Sequence, residues 1–135
     1  MTPMENLYYA LGQIAFAMAK ADGAIQKEEK DKLHDILISE FSKHNQSIDV
    51  AEIIFQVLSK DNVSTQTAYN WAIEQLKLNS QYVSEQLKGN FQSVLLKVAQ
   101  AFPPITPEEQ ALAINFINVL NNTKGDPVFT KENGK

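Results

Sequence analysis

A chain of 135 residues, 44% hydrophobic and 21% charged, is long enough to bury the core of one domain and too apolar to stay disordered. Its net charge of −4 comes from 16 acidic residues against 12 basic ones, all lysine; without one arginine it is poorly equipped to neutralise phosphates or read guanine edges, which argues against a nucleic-acid partner. The absence of cysteine excludes disulfides, thiolate zinc sites and a cysteine nucleophile.

Helical periodicity recurs along the whole chain and no segment alternates like a strand, so the expected class is all-α. The first helix is predicted from about Met4 to Ala21, with Leu7, Leu11, Ile14, Met18 and Ala21 on one stripe. Its apolar stretch from Leu7 to Ala19 could pass for a leader peptide. No Lys or Arg precedes it, however, Glu5 does, and its apolar residues fall at helical spacing, so it reads as a core helix. No stretch reaches the roughly 20 apolar residues of a membrane span, and a cytoplasmic location is the default expectation. A second helix is predicted over about Lys27 to Ser42, burying Leu33, Ile36, Leu37 and Phe41, and a third over about Ile48 to Ser59, with Val50, Ile53, Ile54 and Val57 inward. Ser64 should cap a fourth helix that carries Ala68, Trp71, Ala72, Ile73 and Leu76 and ends near Leu78. The fifth runs from about Tyr82 to Phe102, tight or kinked near Gly89, with Phe91, Val94, Leu95, Val98 and Ala101 inward; the sixth runs from Pro107 to about Leu120. Residues 123–135 contain Gly125, Pro127 and Gly134 and have little to bury, so they read as a loosely ordered tail to a single domain over 1–122. Asn45, Asn62 and Asn121 head Asn-x-Ser/Thr triplets, read here as turn residues near helix ends rather than glycan acceptors.

One segment occurs twice. Ala21-Asp22-Gly23-Ala24-Ile25-Gln26-Lys27-Glu28-Glu29 aligns without a gap on Ala101-Phe102-Pro103-Pro104-Ile105-Thr106-Pro107-Glu108-Glu109, every pair 80 positions apart. Each copy follows a long apolar helix and precedes an amphipathic one, so the chain reads as a duplicated helix–loop–helix unit folded into a compact bundle of about six to seven helices. In the second copy Thr106, Pro107 and Glu109 have every element of a capping box, a structural role. In the first copy Gln26 is a poor N-cap, Asp22-Gly23 closes the preceding helix, and Glu29 lies beside the Leu33/Ile36 stripe, turned toward the loop.

Two readings of that first loop stand side by side. Asp22-Gly23 can simply end one helix while Glu29 acts as a capping acceptor for the next. Alternatively, Asp22 and Glu29 form a carboxylate pair that holds a hard divalent cation, Ca²⁺ or Mg²⁺, completed by loop carbonyls and water. The spacing also matches the second half of an EF-hand loop, but Met18 and Lys20 would then stand where carboxylates are needed, which rejects a true EF-hand.

Helix–Ala-Asp-Gly-x-Ile-x-x-x-Glu–helix, with a divergent second copy about 80 residues later, resembles the TerB-like family of tellurite-resistance proteins over roughly Glu5 to Leu120. The resemblance implies an all-helical, non-enzymatic domain linked to stress and tellurite resistance, with metal held by acidic residues of the repeated loops. Asp22 and Glu29 match the acidic pair of that pattern, and Glu109 matches in the second copy, where Phe102-Pro103 has replaced Asp-Gly. The alternative, of a different class, is a ligand-free structural or adaptor module acting through other proteins. Elsewhere, Asp31, His34 and Asp35 share one helix face at metal-compatible spacing, but that face lies opposite the apolar stripe and reads as solvated surface. His44 sits in a polar turn, and no base–nucleophile pair is legible. Trp71, Tyr69 and Phe91 read as core, and Phe102-Pro103-Pro104 as a rigid apolar loop, either buried against the neighbouring unit, the preferred reading, or a partner-binding knob.

Overall fold

Helix α1, Pro3–Lys20, lies inside the bundle with other helices packed around it. The computed structural model describes residues 2–20, 27–40, 48–101 and 107–130, apart from the side chains of Glu29, Ile38, Glu40, Ile48, Glu108 and Glu109. Over these residues the protein is an all-α bundle: α1, α2 (Lys27–Glu40), α3 (Ile48–Lys60), α4 (Thr65–Leu78), a 3₁₀ turn (Ser80–Tyr82), α5 (Glu85–Ala101), α6 (Pro107–Asn122) and a short α7 (Pro127–Thr130). Among the described residues there is no strand, and no helix is long and apolar enough to cross a membrane.

Helix α1 is not the one-sided helix its stripe suggested. Every residue from Ala10 to Ala19 is buried, because α3, α4, α5 and α6 all pack against it. A helix that is apolar on all faces belongs in the interior, and the small residues Ala10, Gly12, Ala15, Ala17 and Ala19 let its neighbours come close. The approach is tightest at Gly12, where an added Cβ would lie 2.4 Å from the backbone oxygen of Ala51 in α3. One polar residue is buried in this helix: Gln13, whose Oε1 has no hydrogen-bond partner.

The helix ends are set by capping chemistry. The Thr2 backbone N–H donates to Glu5 Oε1 at 2.8 Å while the Glu5 N–H donates to Thr2 Oγ1 at 3.1 Å, a reciprocal capping box with Pro3 at the first helical position. At the end of α3, Asn62 adopts the left-handed conformation (φ 54°), its N–H donates to Ser59 O and the Val63 N–H reaches back to Leu58 O. That is the paired-bond stop that closes a helix and turns the chain. Ser64 Oγ accepts from the Thr67 N–H at 3.1 Å and starts α4 as expected. The 3₁₀ turn absorbs Tyr82, so α5 begins at Glu85 instead, capped by Ser84 Oγ accepting from the Leu87 N–H at 3.0 Å.

Two inward faces differ from those expected. In α3 the buried residues are Ala51, Ile54, Phe55 and Leu58, while Ile53 is 57% and Val57 44% exposed. The helix is rotated by about one residue, because Ala51 must meet Gly12 and the Phe55 ring stacks edge-on against Phe16, centroids 6.1 Å apart. In α4 the small residues Ala68 and Ala72, with Leu76, face α1; Trp71 is 43% exposed rather than core. Phe91 is buried as expected, its ring edge-on to Tyr8 at 5.3 Å. The core runs from Leu7 to Leu120 and includes Leu33 and Leu37 of α2 and Val94, Leu95 and Val98 of α5. Beyond α6, the Asp126 N–H donates to Gln81 O at 2.9 Å, Phe129 lies 4.9 Å from Tyr82, and an added Cβ on Gly125 would stand 2.2 Å from Val83 O.

Candidate functional site

The aligned segments run into α2 and α6, whose first residues align with each other, whereas the last residues of α1 and α5 are 81 positions apart. Helix α1 ends at Lys20 and α2 opens at Lys27; α5 ends at Ala101 and α6 opens at Pro107, 80 positions after Lys27. In the sequence Asp22 falls between the described residues of α1 and α2, and Glu29 is the third residue of α2. A carboxylate in a helix's first turn is stabilised by the exposed N–H groups and the macrodipole there. Asp22 itself, with Gly23, Gln26, Phe41, His44, Phe102, Pro103, Pro104 and Thr106, lies outside the described residues, as do the side chains of Glu29 and Glu109. The nearest described charge before the first loop is Lys20, whose Nζ donates to Asn62 Oδ1 and sits 5.9 Å from the centre of the Phe16 ring. That lysine is thereby tied to the α3–α4 turn.

On the outer surface of α2, Asp31, His34 and Asp35 are exposed, as expected. His34 nevertheless has a partner that the sequence did not disclose: its Nδ1 lies 2.7 Å from Glu52 Oε1 of α3. Gln56 Nε2 donates to the other oxygen of Glu52 at 3.4 Å. The hydrogen bond to Glu52, then the negative charge of that residue, raise the His34 pKa above its ordinary 6.5; burial opposes them, and Asp35 and Asp31 add smaller upward contributions. Among the described residues no three His, Cys, Asp or Glu side chains gather as a metal ion requires, so the Asp31/His34/Asp35 spacing does not by itself make a metal centre.

Beside this surface α2 meets α5 across an open cleft of about 480 Å³, lined by Lys32, Asp35, Ile36, Lys97, Gln100 and Ala101. Lys97 Nζ donates to Ser39 Oγ at 3.5 Å across it, and Ser39 Oγ donates to Ile36 O at 3.0 Å. Between α5 and α6, the largely buried Lys88 pairs with Glu85 Oε2 at 2.9 Å and reaches Asn121 O at 3.5 Å, while Gln92 Nε2 donates to Asn121 Oδ1. Here a cation meets the last carbonyls of a helix, a structural contact that favours the α6 terminus.

No protein family, curated protein or solved structure was found to match this chain.

Proposed function

We propose that the chain is a TerB-like, non-enzymatic cytoplasmic domain of the stress- and tellurite-resistance type, whose first loop holds a divalent cation through Asp22 and Glu29. What supports this most directly is positional: Asp22-Gly23 precedes α2 in the sequence, and the third residue of that helix is Glu29. Two carboxylates offer hard oxygen donors, which suit Ca²⁺ or Mg²⁺ better than a soft transition metal. In the second loop Phe102 stands where the partner carboxylate would be, so that copy serves as scaffold, and the duplicated unit carries a single site. Isothermal titration of the protein with Ca²⁺, Mg²⁺, Mn²⁺ and Zn²⁺ tests the reading. One site per chain for a hard cation, lost in Asp22→Asn, supports it; no heat with any of the four ions refutes it.

A second reading, an adaptor that acts through other proteins, is favoured by one observation. Trp71 and Leu78, seven residues apart on one face of α4, are 43% and 68% exposed. If that face is the working surface, Trp71→Glu abolishes partner capture while the fold and any cation binding persist.

A further inference from the structure

We propose that the His34–Glu52 contact is a proton-linked tie that holds α2 on α3 and slackens as the imidazole loses its charge. The tie joins two helices that are 18 residues apart in sequence at this position, and it is short, 2.7 Å from Nδ1 to Oε1. The groups around it favour the charged ring. Glu52 faces it from α3, with Gln56 steadying the second carboxylate oxygen; Asp31 and Asp35 flank it on α2 itself. From α5, Lys97 lines a cleft together with Asp35 and donates to Ser39 of α2. Among the described residues no lysine forms an ion pair with Glu52.

A protonated imidazole donates from both nitrogens, so the bond to Glu52 is charge-assisted. Once deprotonated, the ring keeps the bond only in the tautomer that carries its hydrogen on Nδ1, and the attraction to three nearby carboxylates is gone. Because the folded protein holds the His34 proton more tightly than a free imidazole does, the stabilisation is complete below about pH 6.5 and disappears as pH rises through the higher, folded-state value. Half of the His34 side chain is in water, so the effect is modest.

The test is an NMR titration of the imidazoles in the full chain, with thermal midpoints at about pH 6 and about pH 8.5, for the unaltered protein and Glu52→Gln. The expected result is a His34 midpoint above 6.5 that falls in Glu52→Gln. The thermal midpoint of the unaltered protein should fall by roughly 2 °C more between the two pH values than that of the variant. His34→Gln, which retains polarity but cannot charge, should lose the same pH-dependent part and covers the case of a poorly folded Glu52→Gln. A His34 midpoint at or below 6.5, or one indifferent to Glu52, overturns the proposal. So does a shifted midpoint without a pH-dependent change in stability, since the contact then holds nothing.

Discussion

Gly12 and Gly89 both sit inside helices, and replacing each with alanine should move stability in opposite directions. In an open helical position the change gains about 0.5–1 kcal/mol, because glycine loses more backbone freedom on folding. Gly89 is such a position: an added Cβ would meet nothing within 4 Å. At Gly12 the same atom would lie 2.4 Å from Ala51 O and 3.1 Å from Ala51 C and Cα, where 3.4 Å is the lower edge of ordinary contact. All three are backbone atoms, so no rotamer change relieves the clash, and α1 must move about 1 Å from α3. Forcing apart a packed interface typically costs about 1–3 kcal/mol and can cost more, which outweighs the propensity gain and leaves a net loss of about 1–2 kcal/mol. For a chain of this length a kilocalorie is about 3–4 °C in thermal midpoint. Circular dichroism melts should therefore show Gly12→Ala lower by about 3–8 °C and Gly89→Ala higher by about 2–4 °C. If Gly12→Ala melts as high as Gly89→Ala, the close crossing of α1 and α3, and with it the rotated face of α3, is wrong.

Asn62 offers a second backbone test: Asn62→Gly should be nearly neutral, while Asn62→Ala should cost about 1–2 kcal/mol by urea denaturation, because only the first substitution removes the Cβ from a left-handed position. Equal losses in both would mean that the side-chain bond from Lys20, not the conformation, dominates there. Gln13→Met, close in shape and without a carbonyl to leave unpaired, should raise stability by roughly 1 kcal/mol; a loss of that size would show that the amide is satisfied in solution. Gly125→Ala should release residues 123–130 from Val83 and Gln81, and truncation after Asn122 should lower the midpoint by the same few degrees, about 3–4 °C. If neither changes it, those contacts carry no weight.

Much of the helical layout was legible because its punctuation is local. Ser64 before an apolar run, Lys27 after Asp-Gly, and Pro107 after Thr106 mark helix starts that the structure places at or next to those residues. The Thr2 capping box was equally readable, since Thr2-Pro3-Met4-Glu5 repeats the pattern of Thr106-Pro107-Glu108-Glu109, but the apolar periodicity that suggested a start near Met4 hid it. What escaped the sequence is tertiary. Val50-Ala51 and Ile53-Ile54-Phe55, followed by Val57-Leu58, supply two overlapping stripes in α3, and only the partner at Gly12 decides between them. Trp71 looked like core by its helical spacing, yet the close α1–α4 packing admits alanines and turns the large ring outward. The His34–Glu52 pair joins two helices whose relative rotation no spacing rule supplies. The proposed cation site was legible only as residue types at a spacing, Asp22 and Glu29, because ligand convergence is a property of loop backbone and not of composition.

That site is also where the account is most exposed. The decisive measurement is the thermal midpoint of the unaltered protein, Asp22→Asn and Glu109→Gln, each with and without millimolar Ca²⁺ or Mg²⁺. A cation that binds only the folded state adds RT ln(1 + [L]/Kd), about 2.7 kcal/mol at a hundredfold excess over Kd. The account predicts a rise in the unaltered protein, none in Asp22→Asn although it folds, and an undiminished rise in Glu109→Gln, whose loop carries Phe102 in place of the second carboxylate. A midpoint unmoved by either ion in all three proteins, with Glu29→Gln costing only the modest loss of a weakened helix cap, would contradict it.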